Sequence, residues 1–131
     1  YVSFFREKRA RALRKKVQLL EMDVQFLDFP DRCFDTVFST FVFCSVPDPI
    51  KGSAGITPRV QSEGRLILLG HMRPGNPILG LLFDALNPLA VRISGANINR
   101  RTMKNIHEAG LRIQDEECLW SDIVRWVISR P

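Results

Sequence analysis

The chain has 131 residues, 45% of them hydrophobic and 25% charged, which is room for one domain with a real core and excludes wholesale disorder. Seven of the nineteen basic residues behind the net charge of +5 lie between Arg6 and Lys16. No aromatic residues are interleaved there, so this cluster reads as one solvated helix face and makes nucleic acid an unlikely partner.

In chain order, Ser3 to Lys16 reads as a helix, rich in Arg, Lys, Ala and Leu and free of Gly and Pro. Val17 to Met22 is a short apolar run that predicts a buried strand ending at Asp23. Asp28 to Arg32 is a turn around Pro30. Phe34 to Phe43 is β-branched and aromatic, the strongest strand signal in the chain. Lys51 to Gly64, where a helix is expected between two buried strands, instead holds three glycines and Pro58. Arg65 to Leu69 predicts another buried strand. Ile78 to Ile93 reads as an apolar helix or helix pair broken at Pro88. Asn99 to Ala109 reads as a helix stopped by Gly110. Two final strands, Leu111 to Trp120 and Asp122 to Ser129, are close enough in sequence to form an antiparallel hairpin.

Cys33, Cys44 and Cys118 have neither a disulfide framework nor a zinc spacing, so buried, reduced thiols and a cytoplasmic location are expected, with no metal. No apolar run approaches the roughly 20 residues of a transmembrane segment. Charged residues begin at Arg6, too soon after Tyr1 for an apolar leader, and a chain opening on tyrosine reads as a fragment.

The alternation of near-continuous apolar strands with helices predicts an α/β fold. Leu19 to Pro49 (LLEMDVQFLDFPDRCFDTVFSTFVFCSVPDP), Gly64 to His71 (GRLILLGH), Asn97 to Thr102 and His107 to Leu111 resemble the C-terminal two-thirds of a class I S-adenosylmethionine-dependent methyltransferase. The ubiquinone/menaquinone-biosynthesis branch is the most similar. The resemblance implies a single partial domain over residues 1–131: a Rossmann-like sandwich with a mostly parallel sheet, a C-terminal antiparallel hairpin and its first two strands missing.

The resemblance also implies a site. Asp23 would accept from the exocyclic amine of the S-adenosylmethionine adenine, and the Val24 N–H would meet a ring nitrogen. A plain turn or cap is the other reading of Asp23. Thr40 and Phe41 would line the methionine part of the cofactor, although Phe41 also suits core packing. His71 would face the acceptor or act as a base. Arg73, Arg100 and Arg101 would approach a polar acceptor, the exposed default being the alternative for each. No catalytic residues are assigned, because the cofactor brings an activated methyl group and the protein only positions it. The apolar stretch Ile78 to Ile93 points to a small-molecule or lipid-like acceptor.

The sequence departs from the family in two ways. It lacks the glycine-rich loop that lets the backbone approach the cofactor, and Gly52, Gly55 and Gly64 have the wrong spacing to replace it. Ser53 to Glu63 does not look like the family's helix. Impaired methyl transfer is therefore expected, with a non-catalytic binding or assembly module, or a decayed fragment, as the alternative.

Overall fold

The β-branched and aromatic run builds strand β1 at Phe34–Thr40 and the leucine-rich run builds β2 at Val60–His71. The two pair in parallel, Thr36 opposite Arg65 through Thr40 opposite Leu69. This computed structural model describes Gln18 and residues 20–131, so the expected helix over Ser3–Lys16 lies outside the described residues. Of the strand expected over Val17–Met22, the described residues Gln18, Leu20, Glu21 and Met22 are not in a strand and are exposed. A strand exists only through a partner, and no described strand runs beside them.

Between β1 and β2 the glycine-containing stretch folds as helix α1, Pro49–Ile56, followed by a 3-10 turn at Thr57–Arg59 that takes up Pro58. Local chemistry outweighs poor helix propensity here. The Asp48 carboxylate caps α1 by accepting from the Lys51 N–H (2.9 Å), and Pro49 occupies the first turn, where its missing N–H costs nothing. The absent side chain at Gly52 brings α1 against the Phe43 ring, which a Cβ would meet at 3.2 Å. The rest of the stretch enters β2, and its surplus length is absorbed where the β1–β2 register slips between Phe34 and Thr36. Gly64 sits at that slip, where a Cβ would lie 2.7 Å from the Asp35 carbonyl oxygen.

Helix α2 spans Pro77–Ser94 without the break expected at Pro88. Asn76 caps its start through the Ile78 and Leu79 N–H groups, and Gly95, at φ 71°, closes its end. Asn87, next to the proline, is fixed by bonds to Asn97 and Ile98. These contacts hold both halves in line despite the N–H that proline lacks. Helix α3, Thr102–Glu108, is shorter than expected and ends at Gly110 (φ 79°), with the Leu111 N–H returning to the Ile106 carbonyl at 3.2 Å.

Strands β3 (Arg112–Trp120) and β4 (Val124–Arg130) form the expected hairpin. Ser121 and Asp122 both have positive φ, and the Ile123 N–H bonds the Trp120 carbonyl at 2.9 Å, the tight turn that matches strand twist. β4 inserts between β2 and β3, antiparallel to both, giving the order β1-β2-β4-β3. All nine residues of β3 are exposed, Asp115, Glu116 and Glu117 among them.

Ile56 of α1 and Ile106 of α3 share one core with Leu66, Leu68 and Val127 of the sheet. The cysteines depart from expectation. Cys44 is buried, but Cys33 precedes β1 in a loop and Cys118 lies on the exposed β3, so both are solvent-facing; all three are free.

Candidate functional site

In an open α/β sheet, ligands collect outside the carboxyl ends of parallel strands. Here those ends are Thr40 and Phe41 after β1, and Gly70 and His71 at the end of β2. Phe41 is held at φ 53°, a left-handed conformation that costs a bulky residue about 1–3 kcal/mol. Its N–H donates to the Leu69 carbonyl at 2.7 Å, and its ring lies against the His71 ring, 4.9 Å between centroids. Its carbonyl accepts from the Cys44 thiol at 3.3 Å. Thr40 and Phe41 are exposed and His71 is half-buried.

Two further connections close on this edge. The Asn97 N–H reaches the Cys44 carbonyl at 2.8 Å, and the Arg73 N–H reaches the Arg100 carbonyl at 2.9 Å. The Arg100 guanidinium donates to the Val46 carbonyl at 2.7 Å, leaving its buried Nε without a partner.

Asp23 opens a turn. Its carboxylate accepts from the Gln25 N–H at 2.9 Å, and its carbonyl accepts from the Phe26 N–H at 2.9 Å. The Gln25 side chain bonds that carboxylate at 3.2 Å and accepts from the Asp48 N–H at 3.2 Å, tying the turn to the start of α1. The bonds from the Gln25 backbone and then its side chain, with Lys51 nearby, hold the Asp23 carboxyl below the usual carboxylate range. Val24 packs on the core. Among the described residues its N–H makes no hydrogen bond. An exposed carboxylate therefore stands beside an N–H without a partner among the described residues, an acceptor and a donor on adjacent residues. Such a pair can meet a ligand edge that carries both a donor and an acceptor.

Arg73 and Arg100 come together, with Arg101, Lys104 and Arg125, around a cleft of about 270 Å³. Most of this charge is already matched. Arg73 pairs with Asp84 at 2.9 Å, Lys104 with Glu108 at 3.4 Å, and Arg125 with Glu116 and Asp122. Lys104 and Arg125 had no signal in the sequence, since they reach the cleft only through the fold. A larger cleft of about 560 Å³ lies between residues 20–29 and β1, lined by Leu20, Met22, Val24, Leu27, Val37 and Phe38 among others. Its walls are core-like, and of the expected cofactor residues it includes Val24 alone. No hydrogen bond among the described residues joins the Asp23 turn directly to the Phe41–His71 pair.

The family model for the methyltransferase domain matches residues 2–68. The demethylmenaquinone methyltransferase of Lactobacillus johnsonii is 30% identical over 94 residues, 70% of this chain and 38% of that protein. The phosphatidylethanolamine N-methyltransferase of Cereibacter sphaeroides is 33% identical over 79 residues, 53% of this chain and 38% of that protein. The chain thus spans about two fifths of the length of these relatives. Among solved structures, a methyltransferase-like protein of Bacillus halodurans superposes with a TM-score of 0.68 at 18% identity, over 79% of this chain and 49% of that one. That likeness speaks to the fold.

Proposed function

The chain belongs to the methyltransferase-domain family, and from that premise we propose that it binds S-adenosylmethionine and serves methyl transfer to a small or lipid-like acceptor. The observation that carries the cofactor half is the Asp23–Val24 pair, an ionised carboxylate beside an N–H without a partner among the described residues. In this reading Asp23 and Val24 hold the adenine, while Thr40 and Phe41 lie along the methionine portion. When bound, the sulfonium supplies an activated methyl group. The chain's own contribution is placement. The strained Phe41 backbone is pinned to Leu69 and its ring to His71, which fixes one wall of the site before anything binds. His71 stands at that wall to take a proton from an acceptor that must lose one. The acceptor class is supported by the names of the two relatives, which act on demethylmenaquinone and phosphatidylethanolamine.

Calorimetric titration with S-adenosylmethionine and S-adenosylhomocysteine tests the proposal. Saturable binding is expected, weakened about tenfold or more by Asp23→Ala, which removes a charge-assisted hydrogen bond. A folded chain that binds neither compound overturns it. That result would favour the second reading, an assembly module, which is supported by the outer edge of β1 having no strand partner among the described residues.

A further inference from the structure

Helix α2 is turned inside out. A surface helix ordinarily buries its apolar stripe and shows water its polar face, but here the polar face is the one that holds the body of the domain. Asp84 receives the Arg73 guanidinium at 2.9 Å and the Asn99 amide at 3.0 Å. Asn87 donates to Asn97 at 3.1 Å and accepts from the Ile98 N–H at 2.9 Å. Gly80 packs so closely on Arg73 that a Cβ would lie 2.3 Å from a guanidinium nitrogen. Gly80, Asp84 and Asn87 are spaced four and three apart and so share one face. Away from that face, Ile78, Leu82, Leu86, Leu89 and Ile93 follow steps of four, four, three and four. They form a stripe along the whole helix and are each between 44% and 78% exposed.

We propose that this stripe docks on a lipid bilayer bearing anionic headgroups, with α2 lying in the plane of the interface. Asp84, Asn87 and Arg92 interrupt its apolar run, yet over its eighteen residues the helix is long and apolar enough to cross a membrane by length and composition; its attachment opposes crossing. The Arg73–Asp84 pair and the Asn87 bonds sit at mid-helix, and a crossing would carry them into hydrocarbon. Lying flat places five large aliphatic side chains in the acyl boundary and leaves the polar clasp intact. Charge selects the surface. From Arg73 to Glu108 the chain has five basic residues and two acids; Asp84 and Glu108 match Arg73 and Lys104, which leaves Arg92, Arg100 and Arg101 without an acidic partner among the described residues. That remaining excess is drawn to anionic lipid.

The test is co-sedimentation of the chain, without S-adenosylmethionine, with phosphatidylcholine vesicles with and without phosphatidylglycerol. Because no cofactor is present, the outcome is independent of the cofactor-site reading. The expected result is pelleting with the anionic vesicles that weakens as salt rises, and a fall in partitioning of about tenfold or more in the Leu82→Ser/Leu86→Ser variant. Circular dichroism checks that the variant folds. Ile78→Ser/Ile93→Ser, at the two most exposed positions, gives an independent second variant. A chain that stays in the supernatant overturns the proposal, as do variants that pellet as well as the parent. A dimer seen by light scattering and dissolved by the same substitutions also overturns it, assigning the stripe to a second copy.

Discussion

The eight residues of α1 include two glycines and a serine, yet Pro49, Gly52, Ser53 and Ile56 are buried. The eighteen residues of α2 are mostly aliphatic, yet Gly80 alone is buried. Composition predicts the reverse. The difference lies in what each helix has to offer the sheet. Small residues let α1 approach until Ile56 joins the core with Leu66 and Val127. α2 is held by an ion pair and two asparagines, and its leucines take no part in that attachment. The buried core of the domain therefore lies on the α1–α3 side, while α2 contributes no residue to that core cluster.

The sharpest test of that contrast is Ile56→Ala in α1. Removing an almost fully buried side chain is expected to cost about 2–4 kcal/mol, read as a lower denaturation midpoint at unchanged slope. A smaller effect is expected at the α2 clasp. Asp84→Asn removes the charged partner of a part-exposed Arg73, so the denaturation midpoint should fall by less than for Ile56→Ala. Amide exchange should quicken across α2 and not across α1; equal quickening in both would show that the helices are one cooperative unit.

The clasp also has a pH signature. The bonds to Arg73 and then Asn99 hold the Asp84 carboxyl below its ordinary value. A carboxyl whose folded pKa is depressed stabilises the fold fully above its unfolded pKa of about 3.9, and loses that contribution as pH falls through the folded value. The clasp should thus hold at neutral and mildly acid pH and open only below about pH 4, followed by the Asn99 side-chain amide signal in NMR. Opening near neutrality would contradict this assignment. The smallest effect is expected on the outer stripe of α2. Leu82→Ser and Leu86→Ser should each shift global stability by about 0.5 kcal/mol or less, although they alter the same kind of residue as Ile56→Ala. A large loss in thermal melts would mean that the stripe is already covered by the chain itself.

Much of this was legible in the sequence where short-range chemistry decides. The strand expected over Phe34–Phe43, which ends at Thr40 where Phe41 turns to positive φ, the Arg65–Leu69 strand, the Gly110 stop and the two-residue turn at Ser121–Asp122 follow from local composition, and all four are present. The expectations that failed depended on distant partners. The run ending at Met22 carries a strand pattern but has no described neighbour to pair with. Lys51–Gly64 looks too rich in glycine for a helix, because the Asp48 cap and the close fit on Phe43 are not visible in propensity. Pro88 suggests a break that Asn97 and Ile98, ten and eleven residues from Asn87, prevent. At the site, the residues at the carboxyl edge were foreseeable from strand ends. That Arg73 is engaged by Asp84 was not, because nothing in the local sequence marks the pair.

The uniformly exposed β3, with its consecutive Asp115, Glu116 and Glu117, has a consequence for how copies of the chain assemble. A fibre grows only when each added molecule offers a fresh receptive edge. An acidic outer strand repels its like and refuses that role, so association through β1 would use up the single receptive edge that the described sheet has. Were copies to pair through this sheet, the assembly would stop at a closed pair and would not propagate.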